Sequence, residues 1–307
     1  MKKLKGLIVA PFTGFTEKGE VDVSAVARQQ KFYKDNGIIG AFVCGTTGEG
    51  SSLSLEEKKA LFREWAKYRD EDFTVIGFVG GTSVKDAQEL TAFAAACGLD
   101  AVAMTAPYYQ KAANVHELAL TLAEVAAAAP ELPFFYYHIP VLTHVCFPII
   151  ELLREVDGMI PNFTGVKYTF EDLMDYQLCL EYGDRKFDIL FGRDEMMLSV
   201  LVLGGQGFVG STYGYSAPVY LALMEAFRKG DLTRAAAFQY ATNRLITVLG
   251  KYGNGAGKAF MKAAGLDLGP CRHPLTTLPE DQYARFLEDL QALDFDRYKC
   301  KTSPEIG

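Results

Sequence analysis

The chain has 307 residues, of which 49% are hydrophobic and 22% charged, the composition of an ordinary globular protein. A chain of this length can bury a large core without disulfides or structural metals, and it accommodates an α/β barrel, which typically uses about 250 residues. The formal net charge of −7 and the dispersed lysines and arginines argue against a nucleic-acid partner, because phosphate binding requires a basic face.

Cysteines, histidines and apolar runs exclude further classes. The six cysteines are scattered without a CxxC pair, and the four histidines form no HExxH pattern, so we expect neither a disulfide framework nor a zinc site. The apolar run Leu7–Phe12 after the basic N-terminus is too short for a signal peptide and is interrupted by Pro11. No segment approaches the roughly 18 apolar residues of a membrane span. The sequence therefore predicts a cytoplasmic protein without membrane association.

Apolar runs bounded by Gly, Pro or polar turns predict buried strands along the chain. The predicted strands are Leu7–Pro11, Gly40–Cys44, Thr74–Phe78, Ala101–Thr105, Phe134–Tyr137, Phe163–Lys167, Asp188–Phe191 and Gly207–Gly210. Amphipathic segments, with apolar residues three and four apart, predict helices between them. These segments are Val23–Asp35, Leu55–Tyr68, Val84–Ala96, Val115–Ala128, Phe147–Val156, Phe170–Tyr182, Glu195–Leu203 and Pro218–Phe227. Ser54 and Glu57 predict a capping box at one helix start.

Eight strand–helix units predict a (β/α)8 barrel, the TIM barrel. Parallel strands that are buried on both faces should be continuously apolar, and these mostly are. A doubly wound sheet also alternates strands and helices, but it does not require eight repeats. We assign residues 1–230 to the barrel and residues 231–307 to a helical extension of the same domain, with two or three helices and a polar tail that contains Pro304. In such barrels the catalytic groups lie at the carboxyl ends of the strands.

Lys167 and Tyr137 end two neighbouring predicted strands, the sixth and the fifth. Burial disfavours the charged form of an amine, and a free amine can attack a carbonyl carbon. The alternative for Lys167 is a side chain that extends to the barrel rim or pairs with a carboxylate. The phenol of Tyr137 could shuttle protons for this chemistry, or the ring could be a packing residue, and His138 has the same two interpretations.

Two glycine-rich segments raise the question of anion or nucleotide binding. Gly45-Thr46-Thr47-Gly48-Glu49-Gly50 follows the second strand, and its free N–H groups and hydroxyls could hold a carboxylate, or the segment could be a plain tight turn. The segment is not a P-loop, since no Gly-Lys-Ser/Thr follows. Residues 205–210 match GxGxxG, but this segment follows a predicted helix and leads into a strand, which disfavours a nucleotide-binding oxidoreductase.

Further polar and aromatic groups follow other predicted strands. Residues 192–195 (Gly-Arg-Asp-Glu) follow the seventh strand, where the two carboxylates could bind polyol hydroxyls or favour the N-terminus of the next helix. Ser211 follows the eighth strand, and Tyr109 follows the fourth. All these groups fall on the catalytic face of the predicted barrel, which strengthens the interpretation of Lys167 as a nucleophile.

Four motifs together resemble the N-acetylneuraminate lyase/dihydrodipicolinate synthase family, in the right order and spacing from about Gly6 to Leu278. They are residues 45–50, Tyr137 before His-Ile-Pro, Gly165-Val166-Lys167 and Gly210-Ser211-Thr212. The resemblance implies a (β/α)8 barrel, usually a homotetramer, that acts on a small-molecule 2-oxo acid without a metal or organic cofactor.

The resemblance also implies roles for individual residues. Lys167 would form an imine with the 2-oxo acid, and Tyr137 would relay protons. Thr46 and Thr47 would hold the substrate carboxylate, and Thr47 would also support Tyr137 in catalysis. Tyr109 matches an aromatic residue that in many members reaches the site of a neighbouring subunit.

The second half of the site resembles the lyases of the family rather than the synthases. Leu142 stands where the synthases carry an arginine that binds the carboxylate of the second substrate. Arg193 and His144 depart from the lyase pattern, which commonly has an uncharged residue and a glycine at these positions. The residues that match the sugar-binding groups of the lyases are Thr169, Gly192, Asp194, Glu195 and Ser211.

The resemblance therefore implies reversible cleavage of N-acetylneuraminate to pyruvate and N-acetylmannosamine. One alternative is another pyruvate-dependent enzyme of the family, either an aldolase for 2-oxo-3-deoxy sugar acids or a synthase. A non-catalytic regulator that binds pyruvate is a third interpretation.

Overall fold

The computed structural model describes residues 2–253 and 255–302. Within these residues, eight parallel strands close into a barrel in chain order, and β8 pairs with β1. The TIM-barrel prediction is confirmed. The strands are β1 (Gly6–Val9), β2 (Gly40–Val43), β3 (Thr74–Phe78), β4 (Ala101–Thr105), β5 (Phe134–His138), β6 (Phe163–Tyr168), β7 (Asp188–Phe191) and β8 (Gly207–Gly210).

Helices surround the barrel and continue beyond it. They are α1 (Ala25–Asp35), α2 (Leu55–Ala66), α3 (Val84–Cys97), α4 (Val115–Ala126), α5 (Pro140–Thr143), α6 (Ile149–Val156), α7 (Leu173–Glu181), α8 (Met197–Val202), α9 (Tyr213–Arg228), α10 (Leu232–Tyr252), α11 (Ala256–Ala263), α12 (Glu280–Ala292) and α13 (Phe295–Tyr298). The predicted extension thus begins with α10, which packs along α9. Its assignment to the same domain as the barrel stays a prediction, and Pro304 lies outside the described residues.

Side chains of the strands alternate between two apolar cores, because successive residues of a strand point to opposite faces. Phe42, Phe135 and Tyr137 lie in the core inside the barrel. Tyr136 and Val166 lie in the larger core between the strands and the helices. The two cores explain why the strands are apolar on both faces and why their positions could be predicted from continuous apolar runs.

Several element boundaries differ from the prediction for local reasons. Helix α9 begins at Tyr213 rather than at Pro218, and its backbone is kinked at Ser216 (φ −138°, ψ 27°). Pro218 lacks an N–H group and its ring clashes with the carbonyl one turn earlier, so the helix bends there instead of starting there. Strand β2 ends before Cys44, which adopts a left-handed φ of 59°.

Side-chain caps fix other helix starts. The predicted capping box is confirmed, since the Ser54 side chain accepts a hydrogen bond from the Glu57 N–H and the Glu57 carboxylate accepts one from the Ser54 N–H. Helix α7 begins three residues later than predicted, at Leu173, because the Asp172 carboxylate accepts a hydrogen bond from the N–H of Asp175. The one-turn helix α5 after β5 was not predicted, because four residues are too few to show a helical period.

We predict that Gly165→Ala destabilises the strand that carries Lys167. An added Cβ at this position would lie 1.9 Å from the carbonyl oxygen of Asp188 in β7, so the two backbones would have to move apart. Overpacking of this kind costs about 1–3 kcal/mol, which should lower the midpoint of unfolding in urea.

Gly81→Ala is the matched control, because its added Cβ would meet no atom within 4 Å. Gly81→Ala should leave the free energy of unfolding unchanged or raise it by up to about 1 kcal/mol, because alanine has fewer conformations than glycine in the unfolded chain. Equal urea midpoints for the two variants would contradict the close approach of β6 and β7.

Candidate active site

A cavity of about 190 Å³ lies at the carboxyl ends of the strands, where the barrel fold predicts the active site. Of the predicted site residues, only Thr46 and Tyr109 lie outside it. Both side chains are exposed, Tyr109 to 81% of its surface. The polar part of the lining consists of Thr47, Tyr137, Lys167, Thr169, Arg193, Asp194, Glu195, Ser211 and Thr212, and Gly192 also contributes.

Lys167 is buried, with 4% of its surface exposed, although it lines the cavity as the last residue but one of β6. Its Nζ lies 4.0 Å from the centroid of the Phe42 ring and 4.0 Å from that of the Tyr137 ring. Within residues 2–253 and 255–302, no carboxylate forms an ion pair with this amine and no group hydrogen-bonds to it. The alternative of a lysine paired with a carboxylate is therefore wrong, and the amine is available to react with a carbonyl in the cavity.

Tyr137 is held next to Lys167 by the register of the sheet, which pairs the two residues across β5 and β6. Its ring packs edge-to-face on Phe42 and Phe78, with centroid distances of 5.4 and 5.8 Å. The phenol of Tyr137 has no hydrogen-bond partner in the described part of the chain. Thr47 also lines the cavity but does not hydrogen-bond to this phenol, so its support of Tyr137 stays a prediction.

His138 belongs to the core and not to the cavity. Its ring lies between the barrel and the helices, with centroids 5.2 Å from Tyr168 and 5.6 Å from Phe170. Burial lowers the pKa of His138 to about 3, so the imidazole is neutral at physiological pH. Of the two interpretations, the buried core residue is therefore the one that the structure supports.

The turn after β2 leaves donors free at the catalytic face. The N–H of Glu49 donates to the carbonyl of Thr46, and the N–H of Gly50 donates to that of Gly45, both at 3.0 Å. The N–H groups of Thr46 and Thr47 have no acceptor among the residues that the structure describes. Adjacent free N–H groups of this kind form a concave site for an anion such as a carboxylate.

Thr169 presents an unpaired hydroxyl at the opposite side of the cavity. Its Oγ1 is buried and has no hydrogen-bond partner in the described chain. A Cβ at Gly192 would lie 2.0 Å from this oxygen, which explains the glycine at that position. An unpaired buried hydroxyl costs about 1–3 kcal/mol, and a substrate hydroxyl could recover this free energy.

Asp194 is turned towards the start of α9. Its Oδ2 accepts hydrogen bonds from the N–H and the hydroxyl of Thr212, at 3.1 and 2.6 Å. Burial raises the pKa of Asp194 to about 6, against the opposing effect of the Thr212 hydrogen bonds. This carboxylate thus fixes the loop after β8 as well as lining the cavity.

Arg193 and His144, the two departures from the lyase pattern, have different consequences. Arg193 lines the cavity and forms ion pairs with Glu171 and Glu195, the latter with 3.3 Å between Nε and Oε1, so Glu195 is not an isolated carboxylate. His144 is exposed and ends α5 in a left-handed conformation (φ 52°, ψ 28°). Glycine adopts this conformation without steric cost, which explains why a glycine is common there.

The GxGxxG segment has a packing role. Helix α8 precedes it and β8 contains its second half, as expected for a segment that is not a dinucleotide fingerprint. A Cβ at Gly207 would lie 2.5 Å from the carbonyl oxygen of Leu4, and one at Gly210 would lie 1.8 Å from Oδ1 of Asp194. The glycines therefore allow the close approach of β8 to its neighbours.

Sequence reasoning missed the contribution of the C-terminal extension to the site. Ile246 and Leu249 of α10 line the cavity, but two apolar residues at helical spacing carry no sequence signal that distinguishes them from ordinary core residues. Lys258 of α11 lies behind the turn after β2, 3.1 Å from the carboxylate of Glu49. No sequence signal could have paired two residues so far apart in the chain. No cluster of three or more His, Cys, Asp or Glu side chains suited to a metal was found in the described residues.

The chain is similar to known proteins over nearly its whole length. Residues 3–293 match the Dihydrodipicolinate synthetase family. N-acetylneuraminate lyase of Mus musculus is 40% identical over 300 residues, which cover 96% of this chain and 94% of the mouse protein. The Proteus mirabilis N-acetylneuraminate lyase structure superposes with a TM-score of 0.93 at 35% identity, covering 96% of this chain and 100% of that one. The structure of the Aliivibrio salmonicida N-acetylneuraminate lyase (sialic acid aldolase) superposes with a TM-score of 0.92 at 37% identity, covering 96% of this chain and 98% of that one.

We predict that Asp194→Asn changes how stability depends on pH. The pKa of Asp194 is about 6 in the fold against an ordinary value of 3.8, so the folded protein binds this proton more tightly than the unfolded chain. The contribution of Asp194 to the free energy of unfolding is fully present below pH 3.8 and is lost as the pH rises through 6. The loss is on the order of 3 kcal/mol. The thermal midpoint of Asp194→Asn should therefore rise relative to wild type between about pH 4 and pH 7.

Asp281→Asn provides the control, since Asp281 is exposed. Its midpoint should keep a constant difference from that of the wild type across the same pH range. A constant difference for Asp194→Asn as well would show that Asp194 does not titrate in this window.

Proposed function

Because the chain belongs to the Dihydrodipicolinate synthetase family, we propose that it is a class I aldolase that reversibly cleaves N-acetylneuraminate to pyruvate and N-acetylmannosamine. The observation that carries this proposal is the buried amine of Lys167, which faces the cavity beside the phenol of Tyr137 without a carboxylate partner among the described residues. Relatives of about 40% identity over nearly the full length are N-acetylneuraminate lyases, which supports the choice of substrate.

Lys167 is the proposed nucleophile. Its amine attacks C2 of the open-chain substrate, and loss of water from the carbinolamine gives a protonated imine. When the C4 hydroxyl loses its proton, C4 becomes the aldehyde carbon of N-acetylmannosamine and the C3–C4 bond breaks. The electron pair of that bond moves towards the imine to give an enamine, and the aldehyde leaves. Protonation of the enamine at C3 and hydrolysis release pyruvate. The imine itself is the electron sink, so the proposal requires no metal or organic cofactor.

Tyr137 is the proposed proton relay, because its phenol is next to the amine and is not engaged by another described group. Proton transfer is needed when the carbinolamine loses water and when the C4 hydroxyl is deprotonated, with the substrate carboxylate assisting. The free N–H groups of Thr46 and Thr47 are the proposed carboxylate site, and the Thr47 hydroxyl lies on the same side of the cavity.

The sugar hydroxyls are proposed to bind at the opposite side of the cavity. The buried hydroxyl of Thr169, which lacks a partner in the described chain, supports this assignment. Leu142 has an uncharged side chain and lies outside the cavity, so this position offers no cation to the carboxylate of a second substrate, which disfavours a synthase. The groups proposed to face the sugar are Thr169, Gly192, Asp194, Glu195 and Ser211.

Assembly into a homotetramer and a cytoplasmic location are part of the proposal. Tyr109 is 81% exposed and lies outside the cavity of its own subunit, as expected for an aromatic residue that completes the site of a neighbour. Among the described residues no helix has the length and the apolar character needed to span a bilayer.

Arg193 favours one second candidate, an aldolase that releases pyruvate from a different 2-oxo-3-deoxy sugar acid. Its guanidinium lines the cavity where lyases commonly have an uncharged residue, and a cation there could recognise an acidic group on the aldehyde. The ion pairs with Glu171 and Glu195 offset part of this charge, so N-acetylneuraminate remains the first choice.

An assay that couples pyruvate release to a detectable reaction should separate the two candidates. We expect kcat/KM for N-acetylneuraminate to exceed that for sugar acids without the acetamido group by at least tenfold, which corresponds to about 1.4 kcal/mol of lost contacts. Faster release from a simpler sugar acid would favour the second candidate. Imine formation without pyruvate release from any substrate would favour a pyruvate-binding regulator.

Borohydride reduction in the presence of pyruvate should attach the three-carbon unit covalently to the wild type but not to Lys167→Ala. Lys58→Met is the matched control, because Lys58 is also buried but lines a different cavity, and it should be labelled like the wild type. Equal labelling of Lys167→Ala would remove Lys167 from the mechanism. Tyr137→Phe should still be labelled on Lys167, although more slowly because the phenol also assists loss of water from the carbinolamine, and its kcat should fall by about 10²-fold or more for a lost acid/base group.

A further inference from the structure

We propose that the buried ion pair between Glu49 and Lys258 positions the N–H groups of Thr46 and Thr47 for the carboxylate of the 2-oxo acid. The C-terminal extension would thereby set the affinity of the site for pyruvate. This inference rests on the function proposed above, in which that turn binds the substrate carboxylate.

The carboxylate of Glu49 is fully engaged, and both of its partners come from the extension. Its Oε1 lies 3.1 Å from Nζ of Lys258, and both side chains are almost completely buried, with 2% and 4% exposed. Its Oε2 accepts a hydrogen bond of 2.9 Å from the N–H of Arg272. Lys258 also donates to the carbonyl of Pro270 at 2.5 Å, and its Nζ lies 4.3 Å from the ring of Phe15.

The backbone at Glu49 shows why the side chain is needed. Glu49 adopts a left-handed conformation (φ 55°, ψ 31°), which glycine tolerates better than any other residue. A glycine would therefore suit the backbone at this position, but it would lose both links to the extension. The N–H of Glu49 closes the turn onto the carbonyl of Thr46, so the orientation of residue 49 is coupled to the peptide that carries the free donors.

The same extension holds the chain just after the turn. The guanidinium of Arg272 donates to both oxygens of Glu57, at 3.0 and 2.7 Å, and to the carbonyl of Ser52 at 2.9 Å. From the other side, the hydroxyl of Thr13 donates to the carbonyl of Gly48 at 2.6 Å. The turn is thus fixed by contacts outside β2, and within residues 45–50 it is Glu49 that carries the contacts from the extension.

A buried ion pair is weak evidence for stability, because well-packed neutral residues of similar shape often replace one without loss. Removing one charge is different, since the other charge is then left buried without a partner. The double variant Glu49→Gln/Lys258→Met keeps the shapes and removes both charges, so it tests positioning without an unpaired charge. Lys262→Met/Asp267→Asn is the matched control, because this pair has the same 3.1 Å separation and the same helix α11 but is more than half exposed.

The readout is borohydride trapping at increasing concentrations of pyruvate and, separately, of its uncharged amide, pyruvamide. In the double variant we expect the half-saturating pyruvate concentration to rise at least tenfold, while the maximal trapped fraction and the pyruvamide curve stay close to wild type. The preference for pyruvate over pyruvamide should therefore fall, and the control pair should leave both curves unchanged. A merely structural role would shift both curves together.

The outcomes separate this inference from the proposed function. If the wild type forms no adduct with pyruvate, the proposed function fails. If the wild type is trapped but the double variant keeps its preference for pyruvate, the positioning role of Glu49 and Lys258 is wrong. Should the double variant not fold, Glu49→Gln alone is measured in the same way. Its amide has a single oxygen and keeps at most one of the contacts with Lys258 and Arg272, while Lys258 can still donate to the carbonyl of Pro270. An unchanged preference for pyruvate in this variant would likewise overturn the positioning role.

Discussion

The closed barrel places one amine at the boundary between an apolar interior and a polar cavity, and the site is organised around that placement. Phe42, Phe78 and Tyr137 fill the barrel beside and below Lys167. The amine lies against two of these rings, it has no carboxylate partner among the described residues, and it lines the polar cavity. An unpaired amine in such a position is costly for folding and useful for attack on a carbonyl, which is why it points to chemistry rather than to stability.

The groups around the cavity share this incomplete pairing. The buried hydroxyl of Thr169 and the N–H groups of Thr46 and Thr47 have no hydrogen-bond partner in the described chain. Each unpaired buried polar group lowers the stability of the free protein, and a ligand that completes its hydrogen bonds returns that free energy on binding. The N–H groups follow β2 and the hydroxyl follows β6, two strands on opposite sides of the barrel, so these groups outline a ligand with a carboxylate at one end and hydroxyls at the other.

The barrel and the residues at its strand ends could be predicted from sequence because each signal is local. Strands buried on both faces leave continuous apolar runs, and a lysine or tyrosine that ends such a run is visible without a structure. Helix starts were less certain, since Pro218 marked a kink inside α9 rather than its beginning. The contact of Lys258 with Glu49 could not be predicted, because it depends on how the extension folds back onto the barrel.

The residues proposed to form the imine lie on strands, whereas those proposed to face the sugar lie mainly in loops. The chain can therefore change the aldehyde that it binds without changing the imine chemistry. Phe42, Tyr137 and Lys167 lie on β2, β5 and β6, and their positions are fixed by sheet register and ring packing. Arg193, by contrast, lies in the loop after β7, where its ion pairs join Glu195 to Glu171 in the loop after β6. A change in these loops alters the charge and the hydrogen-bond donors that meet the sugar without moving a strand. The departure at Arg193 is thus one that the barrel can accommodate while the amine, the phenol and the carboxylate site keep their geometry.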